Sequence, residues 1–118
     1  MKLKEIIEQV EGKLLGSPPA SVADMDIADA GASDMMSDVL AYAQPGCLLL
    51  TGLMNVQVVR TAEMADLAAI VFVRGKIPAA EVISLAEELG IPLVASKYGM
   101  YELCGRLFQA GLKPTMRK

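Results

Sequence analysis

The chain has 118 residues, a net charge of −3 and an isoelectric point near 4.9, and only 4% of its residues are aromatic. An acidic chain with so few rings lacks the basic surface and the stacking groups that nucleic-acid binding needs. Its 53% hydrophobic content includes no apolar run near the roughly 20 residues of a membrane span, and charges interrupt the amino-terminal segment where a signal peptide would be apolar. We therefore expect a cytoplasmic protein with no nucleic-acid or membrane partner, folded as a single domain over residues 1–118.

The first third of the chain predicts a helix, a short strand, a longer strand and the start of a second helix. Apolar residues recur with helical spacing from Leu3 to Val10, and residues 13–15 can form a short strand. A weak alternation of apolar and acidic residues over 21–29 predicts a half-exposed strand. Ser33 is then the predicted N-cap of the next helix, because its hydroxyl can accept from first-turn N–H groups, and Asp34 favours the positive helix end.

Strand and helix alternate regularly from residue 47 onward. The predicted strands cover residues 47–51, 67–73 and 91–95. The predicted helices cover residues 56–64, 78–89 and 100–110. The last helix carries Cys104 and Phe108 on its inner face and ends at Gly111, and Lys113, Arg117 and Lys118 then form a solvated basic tail. This alternation predicts an α/β fold with a mostly parallel sheet and helices on its faces.

The sequence contains none of the common catalytic or cofactor motifs. It has no histidine, and its two cysteines, Cys47 and Cys104, are too far apart to form a zinc-binding or redox pair. Both cysteines lie in apolar surroundings, which favours small buried thiols. The phosphate-binding loop GxxxxGK and the dinucleotide fingerprint GxGxxG are both absent. We therefore predict no cofactor, no metal site, no catalytic residue and no enzymatic activity.

Two acidic residues, Asp34 and Asp38, lie four positions apart on the predicted second helix. Their side chains would share one face, where like charges are unfavourable unless a cation, an arginine or a partner chain compensates them. One interpretation is therefore a contact with Mg²⁺ or with a basic partner. The other is that Asp34 complements the helix dipole and Asp38 is solvated. The predicted interaction surface comprises Ser33, Asp34, Met35, Met36 and Asp38.

A ligand site is predicted at the carboxyl ends of the parallel strands, where open α/β sheets bind their ligands. Those ends are residues 51–52, 74–76 and 96–99. The alternatives there are a site for a small anion, an ordinary polar loop, and an enzyme that uses Lys97 or the aspartate pair. The candidate ligand-binding residues are Thr51, Gly52, Asn55, Lys97 and Tyr98.

Several segments resemble one family in the same order. The runs "SDMMSDVLAYAQPGCLLLTG", "AAIVFVRGKIP" and "AEELGIPLVASKYGMYELCGRLFQAG" are similar to the DRTGG domain. The Asp-Arg-Thr-Gly-Gly run that names the family corresponds here to residues 26–30, where only Asp26 is kept. The resemblance implies a three-layer α/β/α domain like the non-catalytic amino-terminal domain of HPr kinase, which usually self-associates. Stand-alone relatives are often encoded near iron-hydrogenase subunits.

Two functional hypotheses follow from the residues and the resemblance together. The first is a non-enzymatic regulatory or assembly module that forms a homodimer and binds a small nucleotide-like or anionic ligand. The alternative is an accessory protein of iron-hydrogenase or redox metabolism with a hydrogenase-related protein partner. Two isolated cysteines give the alternative no iron-sulfur site within one chain.

Overall fold

A computed structural model describes residues 1–115 of the chain. Within this range the α-helices are α1 Leu3–Gln9, α2 Met36–Tyr42, α3 Val56–Met64, α4 Ala80–Leu89 and α5 Met100–Ala110. The strands are β1 Lys13–Leu14, β2 Asp29–Ala32, β3 Leu48–Thr51, β4 Ala69–Phe72, β5 Leu93–Ala95 and β6 Lys113–Pro114. A 3₁₀ helix occupies Ala20–Asp24. The longest of these helices, α5, has 11 residues, and none in the described range could cross a membrane.

The strands form one sheet in the order β1-β5-β4-β3-β2-β6. All neighbouring pairs from β5 to β6 run parallel, and β1 alone pairs antiparallel, with β5. The predicted α/β fold with a mostly parallel sheet is therefore confirmed. Because the strands from β2 to β5 are parallel, their carboxyl ends lie along one edge of the sheet.

Two apolar cores cover the two faces of the sheet and give the predicted three layers. On one face Leu49, Ile70 and Phe72 pack with buried residues of α2, α3 and α4. On the other face Leu48 and Val71 pack with α1 and α5. Successive residues of one strand point to opposite faces. A strand covered on both sides must therefore be apolar throughout, which explains the continuous apolar runs of β3 and β4.

The connections change face between β4 and β5. The chain leaves β4 through α4, which packs in the first core, and leaves β5 through α5, which packs in the second. Adjacent strands whose outgoing connections take opposite faces form the switch point where open α/β sheets hold ligands. The carboxyl ends of β4 and β5 are therefore the expected position of a ligand site.

The predicted strand over residues 21–29 is wrong. Residues 20–24 form the 3₁₀ helix, and β2 begins only at Asp29. Two of the acidic residues that suggested alternation instead pair with lysines at the start of the chain: Lys4 Nζ of α1 lies 3.2 Å from Asp24 Oδ1, and Nζ of Lys2, the residue before α1, lies 3.4 Å from Asp26 Oδ1. The spacing of Asp24 and Asp26 follows from these ion pairs and not from the alternating faces of a strand.

The predicted solvated tail holds for the side chain of Lys113, which is exposed, although its main chain forms the edge strand β6, where its N–H donates to the Ala28 carbonyl at 3.1 Å. Arg117 and Lys118 of that predicted tail lie outside the described residues. The side chain of Phe108, predicted to face inward, is 68% exposed. Cys104 is half-buried and Cys47 is buried. Gly111 does end α5, in the left-handed conformation that favours glycine.

Replacing Thr61 by valine is expected to stabilise the fold by about 1 kcal/mol. Thr61 is fully buried on α3, and its hydroxyl has no hydrogen-bond partner among the described residues. Thr61→Val keeps the shape and removes the desolvated hydroxyl. Urea denaturation should show a higher midpoint with an unchanged slope; a lower midpoint would contradict the assignment of an unpaired hydroxyl.

Candidate functional site

The carboxylate of Asp34 ties the end of β2 to the end of β3. Its Oδ1 atom accepts hydrogen bonds from the Thr51 hydroxyl at 2.9 Å and from the Gly52 N–H at 2.8 Å. The Thr51 side chain is fully buried, and its Oγ1 also accepts from the Leu53 N–H at 3.1 Å. The segment between β2 and α2 is therefore fastened to the strand edge by the Asp34 side chain.

The prediction that Ser33 caps α2 is wrong, because Ser33 lies in the turn before the helix. α2 begins at Met36 with Met35 at its N-cap position, and no side chain caps it. The Ser33 hydroxyl accepts from the Met35 N–H at 3.0 Å, which closes a tight turn ahead of the helix. Asp34 thus precedes α2 and does not share a helical face with Asp38, which lies exposed in the first turn. The interpretation of a carboxylate pair on one helix fails.

Hydrogen bonding lowers the pKa of Asp34 below its ordinary value of 3.8. The Gly52 N–H contributes most to the lowering, and the Thr51 hydroxyl adds to it. The positive charges of Arg74 and Lys76 act in the same direction, while partial burial opposes them. Two cations from the end of β4 therefore lie within electrostatic reach of the Asp34 carboxylate.

Arg74 connects three neighbouring strands. Its backbone is left-handed, with φ of 64°, a region that non-glycine residues rarely adopt. Two hydrogen bonds hold it there: the Arg74 N–H donates to the Tyr98 carbonyl at 2.8 Å, and the Gly75 N–H donates to the Ser96 carbonyl at 2.7 Å. The guanidinium reaches the other way, since a Cβ built on Gly52 would lie 3.3 Å from Arg74 Nη2. The absence of a side chain at residue 52 leaves room for this approach.

A cluster of charged and aromatic side chains surrounds Tyr98 after β5. The Tyr98 hydroxyl donates a short hydrogen bond to Glu11, and Lys97 Nζ lies 3.3 Å from Glu11 Oε1. The Arg106 guanidinium stacks on the Tyr98 ring at 4.0 Å from its centroid. The hydrogen bond to Glu11 raises the pKa of Tyr98, and the same bond, with Lys97, lowers the pKa of Glu11. Tyr98 is thus held in place on its ring face and at its hydroxyl.

The structure places the predicted ligand-binding residues in two groups. Thr51 and Gly52 follow β3, whereas Lys97 and Tyr98 follow β5, and β4 separates the two strands. Two strand spacings amount to roughly 10 Å. Asn55 lies at the N-cap of α3, where its side chain makes no capping hydrogen bond.

Arg74 joins these two groups, and the sequence-based selection of site residues missed it. The available signal was an arginine directly before Gly75 at the end of a buried strand. Only the structure reveals that Arg74 itself takes the left-handed conformation.

The two cysteines lie in different layers. Cys47 belongs to the core on the α2–α4 face, and Cys104 packs against the core on the α1–α5 face. Burial raises the pKa of both thiols, so the reactive thiolate is disfavoured. Among residues 1–115 no three side chains of the types Cys, Asp and Glu come together as a metal-binding group.

Comparison with known proteins identifies a family and a fold. The family model described as DRTGG domain matches residues 5–110. No curated protein matches the chain. Among solved structures, the CBS and DRTGG domains of the regulatory region of Clostridium perfringens pyrophosphatase, complexed with the activator diadenosine tetraphosphate, superpose with a TM-score of 0.76 at 12% sequence identity. The match covers 99% of this chain and 50% of that one, so the chain spans half the length of this neighbour.

Replacing Asp34 by asparagine is expected to destabilise the fold at neutral pH by about 1 kcal/mol, because a charged acceptor of two hydrogen bonds becomes neutral. The folded-state pKa of Asp34 lies below 3.8, so its contribution is present above that value and is lost as the pH falls through the lowered pKa. The difference between wild type and Asp34→Asn should therefore shrink in acid.

Urea denaturation at neutral and acid pH measures this effect. Asp38→Asn is the matched control, since no hydrogen bond or ion pair of the described residues involves the Asp38 side chain. Thr51→Val should be destabilising, in the opposite direction to Thr61→Val. A difference for Asp34→Asn that stays constant with pH would contradict the assigned role.

An ultraviolet titration should resolve one tyrosine with a raised pKa among the three of the chain. Glu11→Gln is expected to lower that pKa, because the neutral amide no longer stabilises the protonated phenol as a carboxylate does. Tyr98→Phe should remove the raised titration. An unchanged titration curve in Glu11→Gln would show that the Tyr98–Glu11 contact does not control the phenol.

Proposed function

The chain belongs to the DRTGG domain family, and from this premise we propose that it is a non-enzymatic regulatory module that binds a small anionic, nucleotide-like ligand. The ligand lies at the carboxyl-end edge of the sheet, across the ends of β3, β4 and β5. The observation that carries the proposal is the conformation and position of Arg74.

Arg74 is held in an unfavourable backbone conformation, and its guanidinium makes no ion pair among the described residues. A left-handed non-glycine residue costs on the order of 1–3 kcal/mol, and such residues concentrate at ligand sites. Among residues 1–115 neither Arg74 nor Lys76 takes part in an ion pair, and both side chains are exposed. One carboxylate, Asp34, lies within electrostatic reach of both cations, and its Oδ1 atom already accepts two hydrogen bonds. Two cations against one carboxylate leave a net positive charge that favours an anion, and arginine suits phosphate because it donates two parallel hydrogen bonds.

The other site residues divide into those that contact the ligand and those that position the site. Thr51 and Tyr98 are positioning residues, because the hydroxyl of each already binds a carboxylate. Lys97 pairs with Glu11 at 3.3 Å, but its exposed ammonium has further donors for a ligand on the β5 side. Asn55 offers an amide that makes no capping hydrogen bond at the start of α3. Gly52 has no side chain to cover the Arg74 guanidinium, so a ligand phosphate can lie against that guanidinium.

The ligand chemistry of the structural neighbour supports this choice. The regulatory region of the pyrophosphatase was solved with diadenosine tetraphosphate, a nucleotide with a polyphosphate bridge. That protein is twice as long as the matched region, so its ligand informs the class of molecule and not the position of a site on this chain. A phosphate-bearing nucleotide is the ligand class that also suits the cations at the strand edge.

Self-association is the second part of the proposal. Several large apolar side chains are exposed, including Met35 and Leu40 around α2. Met35, Met36 and Asp38 stay a predicted interaction surface, whereas Asp34 and Ser33 are engaged in the turn that precedes α2. The accessory role in iron-hydrogenase or redox metabolism also stays a prediction. Iron analysis of anaerobically purified protein tests it.

The ligand proposal predicts a nucleotide-dependent thermal shift that requires Arg74. The probes are ATP, diadenosine tetraphosphate, pyrophosphate and inorganic phosphate. A ligand at 100 times its Kd stabilises the native state by about 2.7 kcal/mol, which a melting curve resolves. Arg74→Gly should abolish the shift without unfolding the protein, because glycine adopts the left-handed conformation freely.

Arg60→Gln is the matched control, since Arg60 is an exposed arginine on α3 that none of the interactions at the strand edge involves. It should keep the full shift. Two outcomes would contradict the proposal: no shift with any of the four probes, or a shift that Arg74→Gly retains.

A further inference from the structure

The helix α5 is apolar on two opposite sides. Its inner side chains, Leu103 and Leu107, are buried against the sheet. Its outer side carries Tyr101, which is 93% exposed, and Phe108, which is 68% exposed. A helix with apolar residues on both sides is normally covered on both sides. Within residues 1–115 nothing covers the outer one.

The outer side of α5 forms a stripe with a depression at its centre. Tyr101, Cys104, Gly105 and Phe108 follow the spacing i, i+3, i+4 and i+7, so they lie in one row along the helix. Tyr101 and Phe108 border a shallow depression over Cys104 and Gly105. A Cβ built on Gly105 would contact no atom within 4 Å. We call these four residues the α5 stripe.

We propose that the α5 stripe is the homodimer interface, with a second copy of α5 packed antiparallel across it. This inference rests on the proposed self-association and gives it a surface. If the two-fold axis passes between Cys104 and Gly105, each stripe residue before the axis contacts, in the other copy, the residue that lies equally far after it. Tyr101 of one copy then packs on Phe108 of the other, and Cys104 lies over Gly105.

The stripe has the self-complementary shape that an isologous interface requires. Each copy supplies two protruding rings and one depression, and the glycine lets the helix axes approach to the short end of the usual range of about 8–10 Å. Burying the exposed parts of both rings on both copies removes on the order of 600 Å² from water. That is more than a third of the roughly 1,600 Å² of a standard stable interface, before any flanking contact is added.

The charges also favour a second copy on this side. In a two-fold interface a charged side chain near the axis lies opposite its own copy, so an uncompensated charge there is unfavourable. Beside the stripe, Arg106 Nε lies 3.1 Å from Glu102 Oε2, and the two charges neutralise each other. A two-fold arrangement centred on α2 would instead bring two copies of Asp38 together, and no cation of the described residues pairs with Asp38.

Sedimentation equilibrium over a range of protein concentrations tests the proposal. Gly105→Gln fills the depression, and the free space around Gly105 within one copy lets the variant fold. Its helical content and its unfolding midpoint at low concentration should not fall. Its dimer dissociation constant should rise by at least about tenfold. Phe108→Gln removes one of the paired rings and should weaken the dimer in the same direction.

Leu40→Gln is the control, because Leu40 is an exposed apolar residue on α2. A wild-type dimer that Gly105→Gln and Phe108→Gln dissociate and Leu40→Gln preserves supports the α5 stripe. If the wild type dimerises and either α5 variant stays as strongly dimeric, the stripe is not the interface, although self-association itself stands. If the wild type is monomeric at every concentration, both the interface and the proposed self-association fall. The nucleotide-dependent thermal shift that requires Arg74 is independent of all these outcomes.

Discussion

The two central strands are buried on both faces, and this constraint determines where the polar chemistry of the molecule can lie. Every residue of β3 and β4 is buried, because α2–α4 cover one face and α1 with α5 cover the other. An uncompensated charge in such a sheet would be very unfavourable. Within the sheet, charged and hydrogen-bonding side chains are therefore confined to the ends of the strands. Asp34, Arg74 and Lys97 all lie just beyond a strand's carboxyl end.

Hydrogen bonds between neighbouring strand ends give this edge a defined geometry. Asp34 joins the ends of β2 and β3, and the main chain of Arg74 joins the ends of β4 and β5. The guanidinium of Arg74 then reaches back toward Gly52. The edge is continuous from β2 to β5, although each link involves only two adjacent strands. A ligand that contacts Arg74 would consequently be sensed by the segments on either side.

The amino-acid pattern predicts the buried part of the fold well, because the spacing of apolar residues along a segment depends on which of its sides are buried. Strands β3 and β4 read as continuous apolar runs, and the helices between β3 and the end of α5 show helical spacing. The errors fall where other interactions decide the conformation. Asp24 and Asp26 pair with Lys4 and Lys2 at the start of the chain, and Phe108 is apolar yet lies outside the core. Neither fact is visible in the spacing of one segment alone.

The candidate site was only partly predictable for a related reason. Knowing that parallel strands place their carboxyl ends together is enough to select Thr51, Gly52, Lys97 and Tyr98. It does not reveal that β4 separates the first two from the last two, because strand order depends on contacts distant in sequence. Nor does it reveal the role of Arg74, since the left-handed conformation of this arginine is stabilised by hydrogen bonds that its segment donates to carbonyls after β5.

The short outer strands of the sheet have a consequence for how copies of the molecule can meet. β1 and β6 each have two residues, and β6 contains a proline, which has no N–H to donate. Long, regular outer strands are templates on which further strands add, and this is a common route to aggregation. Over residues 1–115 each outer strand offers only two residues to a neighbouring chain, which makes a poor template for backbone pairing. This geometry disfavours growth into open fibrils by strand addition. It favours helix surfaces for any contact between copies, where a two-fold arrangement is complete at the dimer.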